Sequence, residues 1–370
     1  MVKQLKATLY IPLSVMLFAC GGGSSNNSSP DTAIDPVTSS VANPSTGCSA
    51  TSGLLTASDT YTMSFHGIDR TFRLHVPQSY SSTSPSPMVT VFHGWSGDQD
   101  EFLGNSTVRN EADQHGYIVV APLGLGSGSP DNSYNSWSFS GSTTGLDGDS
   151  GSGIEGAICD YNNTADYNYP SCAGIADNSC AWSQCQQDDV EFTVALVDHI
   201  NSKMCVDTDN VFASGGSNGG MFTWELGQNP LTAPLFRAIA PIIGLPHRGY
   251  LGAQGKNEDM PVLLITGKSD PTVPPGEWDD ASFTTTTDGD NFYYTGATGI
   301  TQSWAQALAC DVSSNAVAFD DGYEETDCRT YCSGDQGWPR VLDCRANMAH
   351  TYDFDWSWKL TMDFFDQHSI

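Results

Sequence analysis

Basic side chains are scarce: 14 Lys and Arg stand against 43 Asp and Glu in 370 residues, a formal net charge of −29. So negative a surface repels phosphate backbones and anionic membrane faces, which argues against nucleic acid as a partner. Charged residues of both signs are few as well, 15% of the chain against 39% hydrophobic and 11% aromatic residues. That balance argues against a disordered chain and leaves ample apolar side chain for one large core. No internal repeat is found, and no cysteine pair is accompanied by a His cluster at zinc-finger spacing. The acidic stretch Leu146 to Gly153 lacks the glutamate that a calcium loop needs at its twelfth position, where Ile158 stands counting from Asp147. No metal site is read from it.

A stretch long enough to span a membrane is also missing at the N-terminus. Lys3 and Lys6 precede a short apolar run, Ala7 to Ala19, that ends Leu17-Phe18-Ala19-Cys20. A positive segment, a short apolar segment and small residues before a cut describe an export signal. With Cys20 at the cut, the pattern resembles the lipobox of bacterial lipoproteins, whose cysteine is acylated and becomes the mature N-terminus. This implies a secreted protein, lipid-anchored to the bacterial cell envelope at the outer membrane. Gly21 to Gly47 is Gly, Ser, Asn and Pro with almost nothing to bury, and reads as a flexible tether.

Setting Cys20 apart from the eleven cysteines leaves ten, an even number that favours disulfides in an exported chain. Their connectivity is not legible from sequence. One group is expected to bracket the segment from Cys159 to Cys205, another to tie together Cys310 to Cys344.

From Cys48 to Ile370 a single domain is expected. Strand, turn and strand flank His66 to Asp69 as a hairpin at a sheet edge. Short apolar runs without polar alternation follow at Met88 to Phe92, Tyr117 to Ala121, Val211 to Ala213, Ala238 to Ile243 and Val262 to Thr266. They suit strands buried on both faces, as in a parallel sheet covered by helices. Asp188 to Ser202 is the clearest helix, with acids in its first turn and Phe192, Leu196 and Ile200 at helical spacing. Alternating strands and helices give an α/β fold with a doubly wound, mostly parallel central sheet flanked by helices. The stretch from Gly126 to Gln187, rich in Gly, Ser, Asn, Asp and Cys, reads as a long ordered loop over one side of a site.

The site begins at Gly215-Gly216-Ser217-Asn218-Gly219, a Gly-x-Ser-x-Gly sequence between a strand and a helix. A turn this tight strains the serine backbone and leaves no room for side chains two residues away on either side. A serine hydroxyl needs a general base, and the base an anion to hold its tautomer. Asp270 follows a buried strand at its carboxyl end, where such sheets gather functional groups. After Asp270 only His350 and His368 remain, and His350 follows another apparent strand, Val341 to Ala349. Ser217, Asp270 and His350 are therefore the expected catalytic triad. The backbone N–H groups of Asn218 and of Trp95, in the loop after Met88 to Phe92, are the expected oxyanion donors. His93 in that loop reads as a structural brace.

With those residues in hand, the chain resembles the esterase family that groups polyhydroxybutyrate depolymerases with feruloyl and acetylxylan esterases. The resemblance is carried by Arg70-Thr71-Phe72 with Val76-Pro77, the His93-Gly94-Trp95 loop, Tyr117 to Pro122, Asn135-Ser136-Trp137, Asp188 to Phe192, Cys205 to Met221, Thr266 to Pro274 and Ala349-His350, all in family order. It implies an α/β-hydrolase fold, the same triad and oxyanion donors, and no cofactor. The implied activity is a serine esterase cleaving feruloyl or acetyl esters of cell-wall polysaccharide as a monomer. A polyhydroxyalkanoate depolymerase, or a catalytically inactive surface binding module, stand as alternatives. Trp95, Trp137 and Trp278 are the aromatics expected to stack on substrate. Two departures fall near the site: many members have Gly before the histidine and Trp-Pro soon after it, where this chain has Ala349 and Tyr352-Asp353, and the His-Gly loop carries Trp95 where a small residue or Cys is usual.

Overall fold

The apolar runs become strands of one ten-stranded sheet in the computed structural model, which describes residues 42–51, 55–56, 60–126, 134–139, 159, 169–172, 183–248, 260–289 and 291–370. At one edge, β1 (Thr60–Phe65) and β2 (Ile68–His75) form the expected hairpin. Its two-residue turn has φ of 47° at His66 and 80° at Gly67, the left-handed pair that matches the twist of the flanking strands. The centre consists of β3 (Ser86–Phe92), β4 (Ile118–Pro122), β5 (Val206–Gly216), β6 (Ala238–Ile242), β7 (Val262–Gly267) and β12 (Val341–Ala346), parallel in the order β4-β3-β5-β6-β7-β12. The other edge is antiparallel, β11 (Thr326–Thr330) beside β12 and β10 (Val317–Phe319) outermost. A separate two-stranded ribbon pairs β8 (Phe283–Thr285) with β9 (Tyr293–Thr295). β8 to β11 were not among the expected strands: β8 and β10 are three-residue pieces with exposed residues and carry no apolar run.

Helices cover both faces, as the unbroken burial of the central strands requires. One face holds α1 (Asp100–Leu103), α2 (Ser106–His115) and α6 (Phe354–His368), packed through Phe102, Val108, Ala112 and Trp358. The other holds α3 (Asp189–Asn201), α4 (Asn218–Gln228) and α5 (Ala297–Ala307), packed through Phe192, Phe222 and Trp304. α3 starts where Asp188 Oδ1 accepts from Val190 N at 2.8 Å, an N-cap that matches the expected helix to within a residue at each end. Two of the motif pieces meet here: Arg70 Nη2 of β2 pairs with Asp189 Oδ1 at 2.7 Å, both fully buried, while Asp189 Oδ2 accepts from Ser138 N.

The chain steps from β3 outward to β4, then crosses to β5 on the other side of β3. That reversal opens a crevice at the carboxyl ends of β3 and β5, where open α/β sheets bind their ligands. Among the described residues no helix is long and apolar enough to cross a membrane.

Disulfides join Cys48 to Cys205, Cys172 to Cys185, Cys310 to Cys332 and Cys328 to Cys344, and Cys159 is disulfide-bonded too. The group from 310 to 344 forms as expected. Cys205 does not belong with the segment from 159, because it lies at the amino end of β5 where the incoming chain crosses it. The same crossing shortens the expected tether. Asn43 N donates to Asp207 Oδ1 at 3.0 Å, Ser45 Oγ donates to the Met204 carbonyl at 2.7 Å, and a Cβ on Gly47 would lie 2.1 Å from that carbonyl oxygen. The packed domain therefore begins by Asn43, before Cys48. Cys20, the export segment, the tether up to residue 41 and the stretch around Asp147 lie outside the described residues, as does most of the long loop from 126 to 187.

Candidate active site

β5 ends at Gly216, α4 starts at Asn218, and the single residue between them has φ 52° and ψ −118°. A non-glycine residue held there is strained, and the surroundings show what enforces it. A Cβ on Gly219 would lie 2.0 Å from the Phe92 carbonyl oxygen, and one on Gly215 2.4 Å from the Gly219 carbonyl oxygen. Strand and helix approach so closely that only glycine fits on either side of the serine. Ser217 N donates to the Ile242 carbonyl at 2.9 Å, which fixes the turn to β6.

The three residues expected to act together are brought together. His350 Nε2 lies 3.0 Å from Ser217 Oγ, and Nδ1 lies 2.7 Å from Asp270 Oδ2. The other oxygen of Asp270 accepts from the backbone N–H groups of Thr272 at 2.8 Å and Val273 at 2.9 Å, so the carboxylate is oriented by the turn it starts. A carboxylate only accepts, so the proton sits on Nδ1 and Nε2 presents its lone pair to the serine hydroxyl. The Asp270 side chain is fully buried while that of His350 is 24% exposed, which leaves the base at the mouth of the site and the acid behind it.

The loop after β3 lies alongside: a Cβ on Gly94 would be 3.3 Å from Ser217 Cβ. Both of its peptide planes are pinned. In the first, His93 O accepts from Trp137 Nε1 at 2.7 Å and Gly94 N donates to Glu101 Oε1 at 2.6 Å. In the second, Gly94 O faces His93 Nδ1 at 2.7 Å and accepts from Gly97 N at 3.0 Å. Because the peptide is trans, the Trp95 N–H is turned to the opposite side. His93 is the brace the sequence suggests: Nε2 accepts from Gly124 N at 3.0 Å, Nδ1 donates to Gly94 O, and burial lowers its pKa to about 4, so the ring stays neutral.

No family model matches the chain. It is 22% identical over 211 residues to the probable feruloyl esterase C of Aspergillus niger, covering 55% of this chain and 56% of that protein. It is 31% identical over 97 residues to the feruloyl esterase C of Emericella nidulans, covering 26% of this chain and 34% of the relative. The chain thus spans about half, or a third, of the length of the curated relatives it matches. The solved acetyl xylan esterase from Aspergillus awamori superposes with a TM-score of 0.50 at 14% identity, over 83% of this chain and 100% of that one, a likeness of fold. The chain has the α/β-hydrolase fold, and the curated relatives it matches are feruloyl esterases.

Of the remaining expected residues, the fold places Asn218 at the first turn of α4, where backbone N–H groups have no partner within the helix. The Asn218 side chain accepts from Trp137 N through Oδ1 at 2.8 Å. Trp137 is not a substrate platform. It is 0% exposed, stacked on Phe222 and edge-on to Phe92, and it braces both the His93 carbonyl and Asn218 from behind. Trp278 is not an open platform either: the guanidinium carbons of Arg345 and Arg329 lie 3.7 and 4.1 Å from its ring centroid. Trp95 is partly buried beside the site, stacked on Tyr134 with centroids 4.7 Å apart, and its Nε1 donates to the Tyr169 hydroxyl at 2.8 Å.

Two residues the sequence did not single out belong to the same cluster. Glu101 of α1 and Tyr352, two positions after His350, share a short hydrogen bond next to Gly94. Tyr352 stood out only as a departure from the family pattern, and nothing local marks Glu101. Among the described residues, Cys310, Cys332 and Asp335 group closely, as do Asp321, Cys328 and Cys344, but those sulfurs are taken up in disulfides and offer no thiolate to a metal.

Proposed function

We propose that this α/β-hydrolase is a serine carboxylic ester hydrolase acting on feruloyl or acetyl esters of cell-wall polysaccharide. The observation that carries the reading is the hydrogen-bonded line from Asp270 through His350 to Ser217 at a strained strand-to-helix turn. In this mechanism His350 Nε2 takes the hydroxyl proton as Ser217 Oγ attacks the ester carbonyl. The tetrahedral oxyanion is met by the N–H groups of Asn218 and Trp95. The ester's C–O bond breaks, the alcohol leaves with the proton held by His350, and water, deprotonated by the same nitrogen, releases the acid from Ser217. The substrate class follows the names of the feruloyl esterases and the acetyl xylan esterase to which the chain is similar.

Turnover of p-nitrophenyl acetate tests the esterase reading. Ser217→Ala is expected to reduce kcat by at least about a thousandfold without lowering the melting temperature, since the hydroxyl is a nucleophile and not a packing group. Turnover retained by the purified variant overturns it, and a wild-type chain with no turnover leaves a binding module. Methyl ferulate and acetylated xylan, set against polyhydroxybutyrate film, separate the substrate classes. Lipid anchoring at Cys20 belongs to the same proposal, and mass spectrometry of the exported protein for an acylated N-terminal cysteine tests it.

A further inference from the structure

We infer that Glu101 is a positioning residue of the site, tying the loop that presents the Trp95 amide to the loop that carries His350. The inference rests on the serine-esterase reading above and concerns which groups hold its parts in register.

One carboxylate oxygen, Glu101 Oε1, accepts both from Gly94 N at 2.6 Å and from the Tyr352 hydroxyl. The first bond fixes the amide end of the His93–Gly94 peptide, whose carbonyl end Trp137 holds. The second fixes Tyr352, whose ring fills the space over the nucleophile turn: a Cβ on Gly216 would lie 1.9 Å from Tyr352 Cε1, and one on Gly94 2.7 Å from its hydroxyl oxygen. The ring is held from behind by Phe354, stacked at 5.1 Å, and by Phe102 at 5.8 Å. Residues 94, 216 and 352 thus meet at one point, and Glu101 is the acceptor that joins two of them. The other oxygen, Oε2, is packed against Gly97, where a Cβ would lie 2.3 Å away. The side chain therefore has one place to be.

The position is costly to fill with a carboxylate. Burial raises the Glu101 pKa, partly opposed by the bonds from Tyr352 and Gly94 and by the nearby His350, and added to by Asp98; the Tyr352 phenol is pushed up by its own burial and by Glu101. An acceptor in this place is needed in either protonation state, because one oxygen serves both the Gly94 amide and the tyrosine hydroxyl, and losing it leaves two donors without this partner.

The test uses the full chain and three substitutions. Glu101→Leu removes the acceptor and keeps the bulk. Glu101→Gln keeps an acceptor oxygen without the charge. Glu101→Asp keeps the charge on a side chain one methylene shorter. With p-nitrophenyl acetate, Glu101→Leu is expected to lose about a hundredfold in kcat with KM changed less than about threefold, the size of effect that misplacing a reacting group by about 1 Å produces. Affinity for a phenylboronic acid, which adds to Ser217 Oγ as a tetrahedral anion, is expected to fall in parallel, a change that loss of stability alone does not produce. Glu101→Gln is expected to recover most of the rate and Glu101→Asp to recover less. An active wild type unmoved by Glu101→Leu overturns the inference, as does a fall in kcat with boronate affinity intact. If the leucine variant does not fold, the order of the other two decides: Gln above Asp supports a positioning acceptor, and Asp above Gln overturns it. A wild type inactive on the ester overturns the underlying esterase reading instead.

Discussion

Burial of His93 sets its pKa near 4 in the folded chain, against about 6.5 when unfolded. Above pH 6.5 both states are neutral and the stability is fully present. As pH falls from 6.5 towards 4 the unfolded chain takes up a proton that the folded chain refuses, so stability drops by about 1.4 kcal/mol per unit from this group alone. His115 acts in the opposite sense, raised by its bond to Asp366, and adds stability below pH 6.5 that is lost as pH rises through its folded pKa. We expect denaturant unfolding of His93→Gln to show a lower stability at pH 7 but a shallower decline between pH 6.5 and 4 than the wild type; identical slopes would show that His93 is not the group refusing the proton. At this scale Ser217, Asp270 and His350 were legible because each follows an apolar run, in an order few other residues could satisfy. Trp137 was not: whether a tryptophan faces solvent or lies behind a loop depends on partners 44 and 81 positions away in the chain, and no local pattern reports them.

The turn from β5 into α4 depends on space as much as on backbone angle. Gly219→Ala would put a methyl 2.0 Å from the Phe92 carbonyl oxygen, backbone against backbone, so strand and helix have to separate. The expected outcome is a loss of about 3 kcal/mol or more, at the upper end of what overpacking costs, with kcat reduced at least about tenfold as Ser217 moves. Gly334→Ala is the control, having nothing within 4 Å of the added carbon and no left-handed φ. Melting temperatures and kcat for the two variants side by side check this, and equal effects would show that crowding is not what the elbow glycine relieves. The central strands were readable at the level of elements because burial on both faces leaves an uninterrupted apolar signature. β10 and β11 were not, since an antiparallel edge that faces solvent mixes exposed and buried residues over three to five positions.

Across the whole molecule the disulfides differ in how much chain they close. Cys48–Cys205 spans 157 residues and Cys172–Cys185 spans 13. On the chain-entropy account these are worth about 5 and about 3 kcal/mol, acting mainly on the unfolded state. Replacing Cys48 and Cys205 together by Ser is therefore expected to lower the melting temperature more than replacing Cys172 and Cys185, with kcat at 25 °C unchanged, because Cys205 lies at the amino end of β5 and Ser217 at the other. Calorimetry with an ester assay on both double variants checks it; a larger loss from the shorter loop would reject the entropic account. The even cysteine count pointed to disulfide bonding, but which partners meet is decided by where strands cross, and so Cys205 found Cys48.

The chain from Asn43 to Ser49 is fastened beneath the sheet, and Ser217 stands at the far end of β5, eleven residues and roughly 35 Å away along the strand. A pull on the chain at residue 42 is thus taken up by Asp207, the Met204 carbonyl and a covalent link, none of which adjoins the crevice. A substitution that loosens the attachment of residues 43 to 49 is therefore felt at the amino end of β5 and not at the turn that holds Ser217.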